Sequence, residues 1–273
     1  MASGSLRFYS HALRSLTNVT FVLPNDLQEE MVAENPHYQR PPKTLYLLHG
    51  FTGNEKDWLY GGLAEDLATQ YNLSIFMYTT GNNFYLDREA TGCQYGKYAG
   101  EEVIAYTRKT FGLSHKREDT LIGGYSMGGF GALHTSLAYP ETFSACIALS
   151  SALIIHEIAQ MKPGDDNEVA NYAYYREVFG DLASVESRDT NPEVLLRNAK
   201  EKGLPLPSLY LAIGKQDFLY EKNQDFLRFL RKEKVDFLYE EDDGIHDWNF
   251  WRRFIHRGIE AVLQDESVLT KSE

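Results

Sequence analysis

Thr120-Leu121-Ile122-Gly123-Gly124-Tyr125-Ser126-Met127-Gly128-Gly129-Phe130-Gly131-Ala132-Leu133 decides how this chain folds. The opening run, Thr120 to Gly123, is short and apolar, as a buried parallel strand requires. Phe130, Ala132, Leu133 and Leu137 then recur at helical spacing. Between the two lies a Gly-x-Ser-x-Gly string from Gly124 to Gly128. It reads as a strand that turns sharply into a helix, with Ser126 at the apex. The spacing has a steric reason. On so tight a turn the residues two places either side of the serine press against other backbone, where only glycine fits, and glycine also tolerates strained dihedrals. The hydroxyl then projects above the sheet, and the helix beneath it aims its first N–H groups and its dipole at any oxyanion formed there. By chance the five-residue string arises in about one chain in ten of this length. The crowding of Gly123, Gly124, Gly128, Gly129 and Gly131 around it, and the strand and helix that flank it, make it a nucleophile elbow rather than a glycine-rich helix start.

Outward from the elbow, strands and helices alternate. Residues 6–11 and 18–23 read as an antiparallel pair at a sheet edge, and 25–43, with Pro36, Pro41 and Pro42, as a loop. Strands follow at 44–48, 73–78, 120–123, 143–149, 208–213 and 235–239, with helices near 63–71, 101–111, 219–232 and 247–263. This order predicts a mostly parallel central sheet with helices on both faces. Residues 150–207 interrupt the alternation with helical pieces near 169–179 and 192–200. They are expected to form a small cap or pocket wall over the strand ends, where such sheets hold ligands. The expected domain is thus single, residues 6–263, with 150–207 as its insertion. Residues 1–5, Met-Ala-Ser-Gly-Ser, look like a cloning remnant.

Composition narrows the function. The 273 residues fit one large α/β domain, and 43% hydrophobic content gives ample core. A net charge of −12 argues against nucleic acid or an anionic membrane as partner. No stretch approaches the roughly twenty apolar residues of a membrane span, and no signal-peptide pattern opens the chain, so a cytoplasmic protein is expected. Only Cys93 and Cys146 are present, so no disulfide framework follows. The histidines have no metal-ligand spacing. Gly92 to Lys97 falls one residue short of a phosphate loop, with Tyr98 in place of Ser or Thr. Neither metal nor cofactor is expected.

A serine hydroxyl needs a base to take its proton, usually a histidine oriented by a carboxylate. With this elbow the chain order is serine, acid, histidine. Asp217, in Gly214-Lys215-Gln216-Asp217, follows directly on the 208–213 strand, so it sits on the serine's rim of the sheet. His246, in Gly244-Ile245-His246-Asp247-Trp248, lies between the last strand and the last helix, on a loop able to reach over that rim. The rivals are weaker. His134 and His156 precede the acid, His115 is in a polar loop, and His256 lies within an amphipathic helix. Asp242 and Asp243 are too near His246 in sequence to orient its ring. An oxyanion hole needs two backbone donors. One is expected from Met127, after the nucleophile, and the other from the loop His49-Gly50-Phe51-Thr52-Gly53, with Phe51 first and Thr52 second. His49 reads as a structural histidine. Thr52, Trp58, Tyr85 and Trp248 flank the motif loops and are candidate pocket residues.

His49-Gly50-Phe51-Thr52-Gly53-Asn54-Glu55-Lys56-Asp57-Trp58, the string from Gly124 to Leu133, Gly214 to Asp217, and His246-Asp247-Trp248 together resemble the esterase D-like branch of the α/β-hydrolases, most closely bacterial tributyrin esterases. The likeness runs from about residue 6 to 263. It implies the α/β-hydrolase fold and a serine carboxylesterase acting on short acyl or small aromatic esters through an acyl-enzyme, without a cofactor. It carries the nucleophile onto Ser126, the acid onto Asp217 and the base onto His246. It leaves the substrate open among simple esters, feruloyl or acetylxylan esters and S-formylglutathione, and leaves homo-oligomerisation open. In the formylglutathione hydrolases a histidine usually follows Ser-Met-Gly-Gly, and here Phe130 stands there. From a different class, a hydrolase fold kept as a binding module is opposed by the presence of serine, aspartate and histidine together.

Overall fold

The computed structural model describes residues 1–269. Eight strands form one sheet: β1 (Ala2–Ser10), β2 (Ser15–Leu23), β3 (Lys43–Leu48), β4 (Leu73–Tyr78), β5 (Thr120–Tyr125), β6 (Ala145–Leu149), β7 (Ser208–Gly214) and β8 (Leu238–Asp242), in the order β1-β2-β4-β3-β5-β6-β7-β8. From β4 to β8 every pairing is parallel, while β1 and β2 are antiparallel to each other and β2 to β4. The helices are α1 (Glu29–Val32), α2 (Asp57–Tyr60), α3 (Ala64–Tyr71), α4 (Tyr95–Lys97), α5 (Val103–Phe111), α6 (Met127–Ala138), α7 (Ile155–Ile158), α8 (Tyr172–Phe179), α9 (Pro192–Glu201), α10 (Tyr220–Lys232) and α11 (Trp248–Leu269).

Successive strand residues point to opposite faces, and each face carries its own core. Leu45 and Leu47 pack with Leu67 of α3 and Phe254 and Ile255 of α11. Tyr46 and Leu48 pack with Leu133 of α6, Val103 of α5 and Leu227 of α10. A sheet buried on both sides needs near-continuous apolar strands, and all six residues of β3, β4 and β5 are buried. Helix ends are set locally. Asn171 and Asn191 cap α8 and α9 by accepting from Tyr174 N–H and Glu193 N–H, and Pro192 occupies the first position of α9, where its missing N–H costs nothing.

The sheet order reverses between β3 and β5, so the loops leaving their C-terminal ends diverge and open a crevice, the position where doubly wound sheets bind ligands. Those loops are His49-Gly50-Phe51-Thr52-Gly53 and the turn at Ser126.

Three details differ from the sequence reading. Residues 2–5, expected outside the fold, are the first half of β1, paired from Ala2↔Leu23 to Ser5↔Thr20. The stretch 25–43 is not a plain loop, since it holds α1 and a 3₁₀ turn at Pro36–Gln39. The last strand lies three residues later than its apolar pattern suggested. Val235 N–H bonds back to Leu230 O, and Lys234 adopts a left-handed φ of 55° to allow it. Residues 234–237 are thereby spent reversing the chain after α10.

Candidate active site

The elbow is built as its glycines require. Ser126 has φ 56° and ψ −121°, a strained conformation held by Ser126 N–H donating to Leu149 O and by Phe130 and Ala152 N–H donating to Ser126 O. A Cβ on Gly124 would lie 2.3 Å from Gly128 O, and a Cβ on Gly128 would lie 2.3 Å from Leu48 O. The helix therefore starts in direct contact with the end of β3, which no larger residue permits.

His246 Nε2 lies 2.9 Å from Ser126 Oγ, and its Nδ1 lies 2.8 Å from Asp217 Oδ2. The other carboxylate oxygen, Oδ1, accepts Leu219 N–H at 2.9 Å. Asp217 is buried, and each of its oxygens holds one donor. Gln216 brings the two loops together, its amide oxygen accepting Gly244 N–H while Gln216 N–H donates to Gly244 O. The imidazole is packed between Phe218 at 4.6 Å and Trp251 at 5.0 Å, ring centre to ring centre. Trp251 is itself fixed by donating Nε1–H to Ser150 Oγ. The structure thus joins Ser126, His246 and Asp217, which are 120 and 29 residues apart in sequence, in one hydrogen-bonded chain. Asp242 and Asp243 are elsewhere: Asp242 pairs with Arg253, and Asp243 accepts from Gln216.

Phe51 and Met127 line the cavity above Ser126. Thr52, at φ 66°, gives its N–H to Asn82 Oδ1 at 2.8 Å, so of the two loop donors weighed from sequence it is the one already taken. Among the described residues the Phe51 and Met127 N–H groups have no acceptor in the protein. His49 is a structural histidine beneath this loop. Its Nδ1–H donates to Gly50 O, its Nε2 accepts from Thr79 and Thr80, and burial keeps its pKa below the ordinary value, so it stays neutral.

The cavity in front of Ser126 has a volume of about 380 Å³. Ala152, Ile154, Val169 and Tyr175, all from the 150–207 segment, form one wall. Phe84 comes from the 82–87 loop, Phe218 and Leu219 from the residues just before α10, and Lys222 from its first turn. Of the four pocket candidates read from sequence, Thr52 lines this cavity. The other three do not. Trp58 is buried and donates Nε1–H to Leu48 O; Tyr85 is buried and donates its hydroxyl to His49 O. Trp248 stacks edge-on against Trp58 and Tyr125 and faces a separate shallow hollow with Tyr60. Large aromatics beside motif loops were here claimed by packing: the polar tips of Trp58 and Tyr85 each find a backbone carbonyl, and Trp248 packs ring against ring. Phe218, exposed beside the histidine, was missed. It follows Asp217 directly, and that adjacency was the available signal.

Cys146 is buried against the sheet, and burial pushes its thiol up to about 12, so it is inert. Among the described residues no helix is long and apolar enough to cross a membrane.

A doubly wound sheet carrying a serine on a strained strand-to-helix turn, linked through histidine to a buried aspartate, defines a serine hydrolase of the α/β-hydrolase fold. Comparison with known proteins narrows this. The chain belongs to the Esterase family, whose profile matches residues 10–259, and it is a serine esterase, a carboxylic ester hydrolase. It is 43% identical over 265 residues to an acetyl esterase from Caldicellulosiruptor saccharolyticus, covering 95% of this chain and 97% of the relative. Among solved structures it is similar to the fluorophosphonate-binding serine hydrolase F of Staphylococcus aureus (TM-score 0.81, 30% identity, 96% and 98% of the two chains covered). It is also similar to an S-formylglutathione hydrolase of the same organism (TM-score 0.79, 30% identity, 96% and 98% covered).

Proposed function

We propose that this esterase belongs to the esterase D-like branch and hydrolyses uncharged esters with short acyl groups through an acyl-enzyme on Ser126. The observation that carries this reading is the hydrogen-bonded chain from Asp217 through His246 to Ser126, which opens on a mostly apolar cavity too small for a long lipid. In acylation, Ser126 Oγ attacks the ester carbonyl carbon while His246 Nε2 takes the hydroxyl proton. The carbonyl oxygen becomes an oxyanion held by Phe51 and Met127 N–H. As the tetrahedral intermediate collapses, the C–O bond to the alcohol breaks and His246 returns the proton to the departing alkoxide. Water then repeats the sequence on the acyl-enzyme and releases the acid. Asp217 keeps the proton of the neutral ring on Nδ1 and stabilises the imidazolium that forms. The acetyl esterase relative supports a short acyl group.

The S-formylglutathione hydrolase relative supports a second reading, thioester cleavage at the same serine. Phe130, which stands where those enzymes usually have histidine, does not line the cavity. It is buried against Phe84, Phe179 and His134, so it bears on specificity only through Phe84. The test compares kcat/KM on p-nitrophenyl acetate, butyrate and octanoate, ethyl ferulate, acetylated xylan and S-formylglutathione, for the wild type and Ser126→Ala. The variant should fold normally and lose several orders of magnitude on every substrate. A tenth of wild-type turnover in Ser126→Ala, or octanoate preferred to acetate, would overturn the proposal.

A further inference from the structure

The wall facing Ser126 carries one feature that ester hydrolysis does not require. Among the described residues lining the cavity, Lys222 and Glu157 are the only lysine, arginine, aspartate or glutamate side chains. Lys222 Nζ lies 3.0 Å from Glu157 Oε2, and the two are 31% and 35% exposed. Lys222 stands on α10 and Glu157 on α7 of the 150–207 segment, so the pair joins two elements that line the cavity. The carboxylate is built in further. Its Oε1 accepts Asn167 Nδ2–H at 2.7 Å, and Asn167 Oδ1 accepts the Tyr175 hydroxyl at 3.1 Å. Burial works against the charge on Glu157, but Asn167 and Lys222 outweigh it and hold its pKa below the usual value. The cavity therefore contains an ammonium and a carboxylate in contact, each offsetting much of the other's charge.

We propose that Lys222 and Glu157 form a charge filter that determines which esters the site accepts. Paired, they present no net charge, and a substrate bearing a carboxylate or an ammonium must enter a half-buried site without a counter-ion, which is costly. Unpaired, either one is a ready counter-ion for the opposite class of ester. The pair thus selects uncharged esters, and its two members separately set selection against anions and against cations. This rests on the reading of the cavity as the ester-binding site.

The test uses Glu157→Gln and Lys222→Met. Glutamine keeps the acceptor for Asn167, and methionine keeps most of the lysine stem, so each variant removes a charge with little change in shape. Phenyl acetate is the neutral reference. The anionic probes are phenyl succinate and 4-acetoxybenzoate, with charge on the acyl and the alcohol side. The cationic probes are phenyl 4-(trimethylammonio)butyrate and 3-(trimethylammonio)phenyl acetate. Glu157→Gln should raise kcat/KM for an anionic probe relative to phenyl acetate by about five- to tenfold, and Lys222→Met should do the same for a cationic probe, as one uncompensated charge in partly wet surroundings allows. Both gains should shrink as salt is raised. The proposal needs the two variants to favour opposite classes of probe. If either variant leaves its ratio within twofold of wild type, or both favour the same class, the pair is a packing staple and the inference is wrong. Failure of the enzyme reading would look different, since wild type would then not turn over phenyl acetate at all.

Discussion

Gly128→Ala tests the link between the elbow's sterics and its chemistry. The added methyl would lie 2.3 Å from Leu48 O and 2.6 Å from His49 O, both backbone atoms at the end of β3. Ordinary van der Waals contact begins at about 3.4 Å, so helix start and strand end must part by about 1 Å. Neither side is expendable. The helix start carries Ser126 and the Met127 N–H, while the strand end leads into the loop carrying the Phe51 N–H. Whichever moves, the two N–H groups proposed as the oxyanion hole shift relative to each other. Losing one oxyanion donor costs about 10² to 10³ in kcat, and a misplacement of about 1 Å costs a similar factor. The expected result is a fall in kcat of about a hundredfold or more on p-nitrophenyl acetate. KM should change much less, because the ground-state carbonyl gains little from the hole. Overpacking should also cost about 1–3 kcal/mol of stability, read by thermal and urea unfolding. Gly112→Ala is the control. Gly112 sits at φ 65° with nothing within 4 Å of a new Cβ, so it should lose stability through backbone strain and keep its activity. A folded Gly128→Ala enzyme with kcat within threefold of wild type would refute the reasoning.

Asp217→Asn should keep its bond from Leu219 N–H but turn an amide donor toward His246 Nδ1, favouring the wrong tautomer; kcat should fall by about 10⁴ with the melting temperature little changed, and a loss under tenfold would assign the acid elsewhere. His156 bridges Glu186 and Glu193 at 2.6 and 3.1 Å, joining α7 to the segment before α9 and to α9 itself. Partial burial pulls its pKa down, but the two carboxylates outweigh this and the net direction is up. A raised folded-state pKa means the bridge's stabilisation is fully present below the ordinary histidine range and is lost as pH rises through the raised value. The gap in melting temperature between wild type and His156→Gln should therefore be larger near pH 5.5 than near pH 9, within the small range of an exposed pair; a gap that widens with pH would contradict this.

The sequence carried the alternation of strands and helices well, because buried parallel strands are apolar runs whatever their neighbours. It carried the three residues of the hydrogen-bonded chain for a related reason. In a parallel sheet every strand ends on the same rim, so a residue just past a strand is placed by topology, and Ser126, Asp217 and His246 all follow strands. The register of β8 was not legible, since Val235 and Phe237 look like strand residues and are instead consumed by the reversal after α10. The cavity wall was legible only as a region. That residues 150–207 reach the rim follows from where β6 ends and β7 begins. Which of their side chains face Ser126 depends on α7 and α8, short helices whose orientation is set by long-range contacts such as Tyr174 to Asn82 O and Phe179 to Phe84.

The aromatics misread as pocket residues expose what the site demands of its scaffold. An oxyanion hole acts because its donors are fixed before the charge develops. One proposed donor, Met127 N–H, is fixed by a helix. The other lies on a short loop with no repeating hydrogen bonds of its own. Trp58 donates to Leu48 O, Tyr85 to His49 O and Tyr125 to Asp57 Oδ2, while Asn82 accepts from Thr52. Gly50 must stay a glycine because a Cβ there would lie 2.4 Å from the Tyr125 ring. Trp58 and Tyr85 hold the start of the loop, and Tyr125 the helix after it, each by one polar tip on a large buried ring, a side chain with few rotors to lose and much area to bury. The density of aromatics around the His49-to-Gly53 motif thus holds an irregular stretch still, while much of the apolar pocket wall falls to Ala152, Ile154, Val169 and Leu219.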